Sequence, residues 1–321
     1  MVLVCGFLTG IIAGCSSENT QIKAAYDVYH TSAEYGLTND TVSNVIEPFA
    51  KNICVIGFDN TDGRDMHTEV AEGAGVFNTA QEKVSYAQNV HEKLYPASTT
   101  KILTAYIALK YGDLDQQITV SEEALDGLDS SSSVCGIQVG DILTLEQLLY
   151  GLMLCSGNDA AEVIAETVSG SSEAFAELMN KEALALGASN SHFVNPHGLP
   201  DENHYTSVYD LYLIFNAAVS DERFVSMINA DSFEASYTDK NGQTVSKTWK
   251  NTNKYLNGEK EAPEGITVIG GKTGTTKDAG YCLVLLSENS SSEPLISIVL
   301  KADGRSDLYL LMNEMLSNFS N

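Results

Sequence analysis

The chain has 321 residues, enough for one large domain or two small ones, and its 43% hydrophobic content excludes wholesale disorder. The mean hydropathy of -0.08 excludes a polytopic membrane protein. With 18 basic and 43 acidic residues the net charge is -25, and no concentrated basic surface is evident, so we expect no nucleic-acid partner.

The chain begins with an apolar segment, residues 1–14, which is shorter than the roughly 20 residues that a membrane-spanning helix needs. It ends in Ile12-Ala13-Gly14 before Cys15, a pattern that resembles a bacterial lipobox. The resemblance implies a lipoprotein-type signal peptide, lipidation of Cys15 and a position on the outer face of the bacterial cytoplasmic membrane. An ordinary signal peptide is the alternative. Because no Lys or Arg precedes the apolar run, we expect the true translation start to lie upstream.

A polar segment follows, and we interpret residues 15–44 as a tether and residues 45–321 as the folded domain. The apolar run at residues 53–58 predicts a β-strand, and the apolar segment at residues 74–79 can pair with it.

Helical periodicity dominates from residue 97 to about residue 187. The clearest helix begins at Thr144, because Thr144 and Gln147 can form a capping box ahead of leucines at helical spacing. Two further helices are predicted, one over residues 159–168 and one that starts near residue 172 and stops at Gly187.

The C-terminal part is rich in β-forming residues. Three apolar runs, at residues 266–269, 281–286 and 295–300, predict strands, and residues 308–316 predict a final helix. The order strand, helices, strands, helix indicates an α+β fold in which helices cover an antiparallel sheet.

The cysteines and histidines give no metal signal. No two cysteines have C-x-x-C spacing, and a chain of this length can build a core without a disulfide framework. Cys155 is interpreted as a small buried residue at a helix end, and a reactive thiol in the cleft, which no flanking base supports, is the alternative. Three histidines, His192, His197 and His204, lack the H-E-x-x-H spacing, so we expect them to be surface polar residues. We therefore expect neither a metal nor a cofactor. The six cysteines are Cys5, Cys15, Cys54, Cys135, Cys155 and Cys282.

Ser98 and Lys101 are the first candidate catalytic pair. Residues three apart on a helix share a face, so the Ser98 hydroxyl and the Lys101 amine can approach each other. A serine hydroxyl becomes a nucleophile when a base removes its proton, and a lysine can be that base if burial near positive charge keeps it neutral. Alone, S-x-x-K is a weak signal, because an N-capping serine beside a solvated lysine gives the same pattern.

Two other segments can contribute polar groups. Ser156-Gly157-Asn158 lies between two predicted helices and can equally be an ordinary turn. Residues 272–275, Lys-Thr-Gly-Thr, follow two glycines on a predicted strand, where a cation can attract a carboxylate and the strand edge can bind an extended peptide. A plain edge strand with a solvated lysine is the alternative for this segment.

Together, S-x-x-K at a helix start, S-x-N after a long helix and K-T-G-T on a strand, in this order, match the motif set of penicillin-binding proteins and β-lactamases, apart from Gly157 in place of aspartate. Over roughly residues 53–316 the chain therefore resembles the low-molecular-mass D-alanyl-D-alanine carboxypeptidases of the peptidase S11 family. The resemblance implies a β-lactamase/transpeptidase-like fold, with an antiparallel sheet flanked by helices and a mainly helical subdomain.

The resemblance also implies catalytic roles. Ser98 attacks the carbonyl carbon between the two D-alanines of a peptidoglycan stem pentapeptide and becomes acylated, while Lys101 takes its proton. Ser156 relays a proton to the departing D-alanine. Asn158 binds the substrate amide and helps to hold Lys101. Water then hydrolyses the acyl-enzyme, and a β-lactam stalls at the acyl stage and inhibits the enzyme.

The remaining implied residues bind substrate. Lys272, Thr273 and Thr275 bind the terminal carboxylate, and the substrate-binding set includes Gly274. The backbone N–H groups of Ser98 and Thr275 form the oxyanion hole.

The sequence departs in two respects from related penicillin-binding enzymes, and both narrow the predicted function and domain organisation. The E-x-x-L-N motif with which class A β-lactamases activate the deacylating water is missing after Asn158, which argues against a β-lactamase. Only about fifty residues follow Lys272, so we expect no second, all-β domain. A non-hydrolytic penicillin-binding sensor or wall-binding lipoprotein remains the alternative, and it would differ by failing to deacylate. Carboxypeptidase or endopeptidase preference, the diamino acid of the substrate and the oligomeric state are not encoded in these motifs.

Overall fold

A computed structural model describes residues 52–61, 66–128 and 132–319. The predicted signal peptide at 1–14, the lipidation site Cys15 and the tether at 15–44 lie outside the described residues, so these boundaries stay predictions.

The described residues form nine β-strands and seven α-helices. The strands are β1 (Ala71–Asn78), β2 (Lys83–Gln88), β3 (Gln117–Thr119), β4 (Ile142–Thr144), β5 (Ser232–Thr238), β6 (Thr244–Lys250), β7 (Thr267–Thr276), β8 (Gly280–Glu288) and β9 (Pro294–Ala302). The helices are α1 (Lys101–Tyr111), α2 (Leu145–Leu154), α3 (Asn158–Ser169), α4 (Ser172–Ala185), α5 (Val208–Ala218), α6 (Glu222–Asn229) and α7 (Arg305–Phe319).

Five strands form an antiparallel sheet in the order β2-β1-β9-β8-β7, and four form a smaller sheet in the order β3-β4-β5-β6. In the larger sheet β1 is bonded to β9, so the start and the end of the described chain meet in one sheet. The register pairs Lys272 with Val284 and Gly274 with Cys282, which fixes the 272–275 segment on the edge strand β7.

The larger sheet separates two hydrophobic cores, because alternate residues of a strand point to opposite faces. Along β8, Val284 and Leu286 pack with the helices on one face, whereas Leu283 and Leu285 pack with α7 on the other. Both faces of the central strands are therefore buried, and this explains their continuous apolar sequence. The predicted arrangement of helices around an antiparallel sheet is confirmed.

Helix α1 is the centre of the helical layer and packs against α3 and α5. Its side chains Ile102, Leu103 and Ile107 are fully buried, and each such burial stabilises the fold by about 1.5–3 kcal/mol. This packing holds the first turn of α1, and the residues just before it, in a fixed position.

Several sequence predictions are confirmed by these elements. The Thr144 Oγ1 accepts a hydrogen bond from the Gln147 N–H at 3.1 Å, and the Thr144 N–H donates to Gln147 Oε1 at 2.9 Å, so the capping box is present at the start of α2. Helix α4 ends just before Gly187, which has a φ of 86°. The three C-terminal strands and the final helix are also present, each somewhat longer than predicted.

The prediction of a strand at residues 53–58 is wrong. This segment makes no ladder, and its Cys54 N–H donates instead to the Tyr212 hydroxyl at 2.8 Å. A strand has two edges, and β2 and β9 occupy both edges of β1, so β1 has no free edge for residues 53–58.

Candidate active site

Ser98 lies in a 3₁₀ turn, Ala97–Thr100, that leads directly into α1. The Lys101 Nζ is 3.0 Å from the Ser98 Oγ, so the predicted pair is in hydrogen-bond contact. Ala97 has a φ of 48°, an unusual conformation for a residue with a side chain. A β-carbon on Gly198 would lie 1.8 Å from the Ala97 carbonyl oxygen, so glycine is required where this loop supports the serine turn.

Lys101 is fully buried and its amine meets three oxygens. Besides Ser98, it donates to the Asn158 Oδ1 at 2.7 Å and to the His197 carbonyl at 2.8 Å. Burial, and then the positive charge of Lys272, lowers the pKa of Lys101 well below its usual value. A neutral amine has two N–H donors, which suffice for Asn158 and His197, and its lone pair can then accept the Ser98 hydroxyl proton.

Ser156 occupies the turn between α2 and α3, and Asn158 is the first residue of α3. Ser156 has a φ of 61°, a strained conformation of the kind that concentrates at functional sites. Its Oγ accepts a hydrogen bond from the Lys272 Nζ at 3.1 Å. The strained turn thus directs the Ser156 hydroxyl toward the buried amine of Lys272.

Asp159 fixes the turn from behind. Its Oδ1 accepts from the Cys135 N–H at 2.8 Å, and its Oδ2 accepts from the Gly136 N–H at 2.8 Å and the Ile137 N–H at 3.2 Å. The Asn158 N–H donates to the Ser133 carbonyl at 2.8 Å. Four hydrogen bonds therefore join segment 132–141 to the first turn of α3.

Strand β7 supplies the third motif. The Lys272 Nζ is buried and also donates to the Thr273 carbonyl at 2.9 Å. Burial lowers the pKa of Lys272 to about 7. A β-carbon on Gly274 would lie 3.0 Å from the Ser98 nitrogen, so this glycine lets β7 pass close to the serine turn. Thr273 is half-buried and Thr275 is exposed.

The motifs meet at a cavity of about 280 Å³. Ser98, Ser156 and residues 273–275 all line it, whereas Lys101 and Lys272 lie behind these hydroxyls. The structure therefore brings together the eight catalytic and substrate-binding residues that the sequence predicted. They are Ser98, Lys101, Ser156, Asn158, Lys272, Thr273, Gly274 and Thr275. Other lining residues are Ser133, Thr252, Lys254, Asn257, Glu259, Tyr281, Cys282, Arg305, Leu308 and Tyr309.

Lys254 and Arg305 are cavity residues that the sequence analysis missed. Lys254 makes an ion pair with Glu259 at 2.9 Å, and the guanidinium of Arg305 lies 5.8 Å from the centre of the Tyr281 ring. Neither residue belongs to a recognisable sequence motif, so the sequence carried no local signal that they would line the cavity. Glu259 balances the charge of Lys254, whereas the charge of Arg305 can attract an anionic group to the cavity.

The prediction that the three histidines are surface residues is wrong for two of them. His197 and His204 are buried. His197 pairs with Glu162 at 2.9 Å. Burial lowers the pKa of His204 to about 3, so His204 is neutral at pH 7, and its Nε2 lies 2.8 Å from the Thr100 hydroxyl. The segment that carries His197 and His204 therefore contacts the turn that carries Ser98. Among the residues that the structure describes, no three His, Cys, Asp or Glu side chains group as a metal site would require.

Comparison with known proteins places this geometry in a family. The family model described as D-alanyl-D-alanine carboxypeptidase, peptidase S11, matches residues 63–304. The D-alanyl-D-alanine carboxypeptidase DacF of Bacillus subtilis is 33% identical over 73% of this chain and 58% of its own length. The D-alanyl-D-alanine carboxypeptidase of Streptomyces sp. strain K15 is 33% identical over 68% of this chain and 76% of its own.

Comparison with solved structures supports the same family. The crystal structure of the Streptomyces K15 DD-transpeptidase has a TM-score of 0.70 and 30% identity, covering 77% of this chain and 97% of that one. The match confirms the predicted β-lactamase/transpeptidase-like fold. The chain spans only 58% and 52% of the first two curated relatives, the second being DacA of Haemophilus influenzae. From its matched residues and its fold, the chain belongs to the peptidase S11 family of D-alanyl-D-alanine carboxypeptidases.

Proposed function

We propose that this chain is a serine-type D-alanyl-D-alanine carboxypeptidase that removes the terminal D-alanine from peptidoglycan stem pentapeptides. The observation that carries the proposal is the 3.0 Å contact between the Lys101 Nζ and the Ser98 Oγ. The lowered pKa of Lys101 supports it, because a neutral amine can accept the serine proton. Membership of the S11 family supports the same reaction.

Acylation starts when the Ser98 Oγ bonds to the carbonyl carbon between the two D-alanines and its proton passes to Lys101. The carbonyl oxygen then gains negative charge, which the backbone N–H groups of Ser98 and Thr275 stabilise. The close approach of Gly274 to the Ser98 nitrogen supports this oxyanion hole, since it brings the two backbone segments together.

The C–N bond then breaks, and the departing D-alanine nitrogen takes a proton from the Ser156 hydroxyl, which regains one as Lys101 gives up the proton that it took from Ser98. The hydrogen bond from Lys272 to the Ser156 Oγ supports this relay, because it stabilises the serine oxygen as its proton leaves. Asn158 keeps Lys101 in place through its Oδ1 and binds the substrate amide with its other amide atoms.

The substrate carboxylate binds at β7. Thr273 and Thr275 line the cavity and offer two hydroxyl groups, and Lys272 provides positive charge directly behind them. Arg305 lines the same cavity and supplies a second cation. Two cations and two hydroxyls are a suitable set of partners for one carboxylate.

Water finally hydrolyses the ester bond at Ser98. A β-lactam resembles the D-alanyl-D-alanine unit, so it acylates Ser98 and inhibits the enzyme by persisting there.

We also propose export and a diacylglyceryl anchor at Cys15, which would hold the domain at the outer face of the cytoplasmic membrane, next to its peptidoglycan substrate. The pattern Ile12-Ala13-Gly14-Cys15 supports this. No helix in the described ranges has the length and apolar character needed to cross a membrane.

The proposal is tested with the full chain, a stem pentapeptide and a fluorescent penicillin. We expect release of D-alanine in turnover and covalent labelling by the penicillin. Ser98→Ala removes the nucleophile, so both signals should fall by at least about 10³-fold while the circular dichroism spectrum is unchanged. Undiminished labelling of Ser98→Ala would remove Ser98 as the nucleophile.

The same assay separates two other outcomes. A penicillin adduct without any D-alanine release would identify a penicillin-binding protein that does not hydrolyse its substrate. Transfer of the acyl group to an added amine in preference to water would identify a transpeptidase, the activity named for the K15 structure.

A further inference from the structure

Cys135 and Cys155 bring two thiols together directly behind the candidate catalytic turn. Their Sγ atoms are 3.1 Å apart, in hydrogen-bond contact, although 20 residues separate them in the chain. Cys155 follows the last residue of α2 and is bonded to Ser156. Cys135 belongs to segment 132–141, whose Ser133 lines the active-site cavity.

The fold holds Cys135 tightly in this position. Its N–H donates to Asp159 at 2.8 Å and its carbonyl accepts from the Trp249 Nε1 at 3.3 Å. Its sulfur lies over two glycines: a β-carbon on Gly157 would be 2.1 Å from it, and one on Gly151 would be 2.6 Å from it. The Cys135 sulfur is therefore seated in a space that only glycines leave open, facing Cys155.

We propose that Cys135 and Cys155 are a redox site, where a reversible disulfide cross-links segment 132–141 to the Ser156 turn. The oxidant is a small-molecule disulfide. The Cys155 thiolate attacks one of its sulfurs and releases one thiol, and Cys135 then attacks the Cys155 sulfur and releases the second. Two electrons pass to the small disulfide, and the two cysteine protons end on the released thiols.

The exposure of the two thiols sets this order of attack. Cys155 is partly exposed, so the prediction that it is buried is wrong, whereas Cys135 is buried. The hydrogen bond between the sulfurs lowers the pKa of the Cys155 thiol, and burial raises the pKa of Cys135. Cys155 is thus the thiol that meets the oxidant first, and Cys135 is the resolving thiol.

Closing the disulfide should disturb the active site. An S–S bond is about 2.05 Å long, so the sulfurs must approach by about 1 Å. Cys155 is bonded to Ser156, whose Oγ is 3.1 Å from the Lys272 Nζ, and Ser133 accepts from the Asn158 N–H. Because a displacement of about 1 Å can cost up to 100-fold in rate, we expect oxidation to slow acylation of Ser98 by at least about tenfold.

The test treats the full chain with glutathione disulfide, blocks remaining thiols and maps the peptides by mass. We expect one cross-linked peptide that joins Cys135 to Cys155 and lacks two hydrogen atoms relative to the dithiol. The midpoint of thermal unfolding should rise by about 5 °C, because the cross-link restricts the unfolded chain. Dithiothreitol should reverse both changes. Absence of the cross-linked peptide would overturn the proposal.

Matched variants and the acylation rate complete the test. Cys155→Ser removes the thiol that attacks the oxidant, so it should retain the acylation rate of the reduced protein and lose its sensitivity to the oxidant, whereas Cys54→Ser, at a buried thiol elsewhere, should keep that sensitivity. A cross-linked protein that is acylated as fast as the reduced one would contradict the effect on the catalytic turn. This rate rests on the proposed function, but the peptide and thermal readouts do not, so absence of acylation in both redox states would count against the proposed function alone.

Discussion

At the scale of single residues, the site consists of two buried lysines, each in contact with one serine. Lys101 meets Ser98 at 3.0 Å and Lys272 meets Ser156 at 3.1 Å. Burying a cation is unfavourable, so the protonated form of each lysine is destabilised. In the proposed chemistry the two lysines act in different protonation states. Lys101 acts as a neutral base, which burial favours, whereas Lys272 acts as a cation, which burial opposes.

The pKa of Lys272 leads to a pH prediction. Because burial lowers this pKa to about 7, Lys272 in the free enzyme loses its proton as the pH rises through about 7. We expect kcat/KM for carboxylate-bearing peptides to decline over this range, since carboxylate binding needs the cation. An uncharged ester substrate is the control and should decline less, because it loses only the support that Lys272 gives to Ser156. The same decline for both substrates would show that Lys272 does not act on the carboxylate.

The same shift predicts a stabilising substitution. The pKa of Lys272 is lower in the folded state than in the unfolded state, so the unfolded state binds more protons between about pH 7 and 10.5, and stability rises with pH there. At lower pH the buried cation opposes folding. Lys272→Met should therefore raise the free energy of unfolding at pH 6 by about 1–2 kcal/mol while activity is lost. Urea denaturation at pH 6 and pH 10 measures this, and a gain no larger at pH 6 than at pH 10 would contradict it.

At the scale of elements, the site depends on a few contacts that hold loops against helices. Helix α1 is fixed by its buried face, and Asp159 ties segment 132–141 to the start of α3. Gly198 and Gly274 allow two further segments to approach the serine turn. The motif residues come together because these backbone segments pack closely. No single motif holds the site together by itself.

Asp159→Ala tests this role of the loop anchor. The substitution removes the acceptor for three N–H groups of segment 132–141, and an unpaired buried N–H costs about 1–3 kcal/mol. We expect a loss of at least about 2 kcal/mol in urea denaturation and slower penicillin acylation. Thr144→Ala at the far end of α2 is the control: losing this N-cap costs about 1 kcal/mol but should leave acylation unchanged. Equal effects of both variants on acylation would refute a specific role for Asp159.

The sequence predicted those elements whose signals are local. The capping box at Thr144 and the apolar runs of β8 and β9 are local patterns, and each element is present. The proposed strand at 53–58 failed because pairing depends on which edges of β1 remain free, and β9 comes from more than 200 residues further along the chain. The burial of His197 and His204 was missed for a similar reason, since it depends on distant partners such as Glu162 and Thr100.

At the scale of the whole molecule, an acidic chain presents a cluster of cations at its cavity. The net charge is -25, yet Lys272 and Arg305 lie in or behind the same cavity wall, beside the Lys254–Glu259 ion pair. A locally positive site in an acidic protein favours an anionic substrate at the cavity over the rest of the surface.

The proposed anchor predicts where the whole molecule resides. Cys15→Ala removes the thiol that would carry the lipid, so the chain should move from the membrane fraction to the soluble fraction of expressing cells. Cys5→Ala is the matched control within the proposed signal peptide and should leave the membrane fraction unchanged. Immunoblotting of the two fractions measures this, and a membrane-bound Cys15→Ala protein would contradict anchoring at that residue.

Trapping the acyl-enzyme and locating the acylated residue tests the role of Ser98 as the nucleophile. The full chain is incubated with penicillin, digested and mapped by mass spectrometry. We expect one penicilloyl group, on Ser98, because among the described residues it is the Ser98 hydroxyl that contacts the buried base Lys101. A penicilloyl group on Ser156, or on any residue other than Ser98, would contradict it.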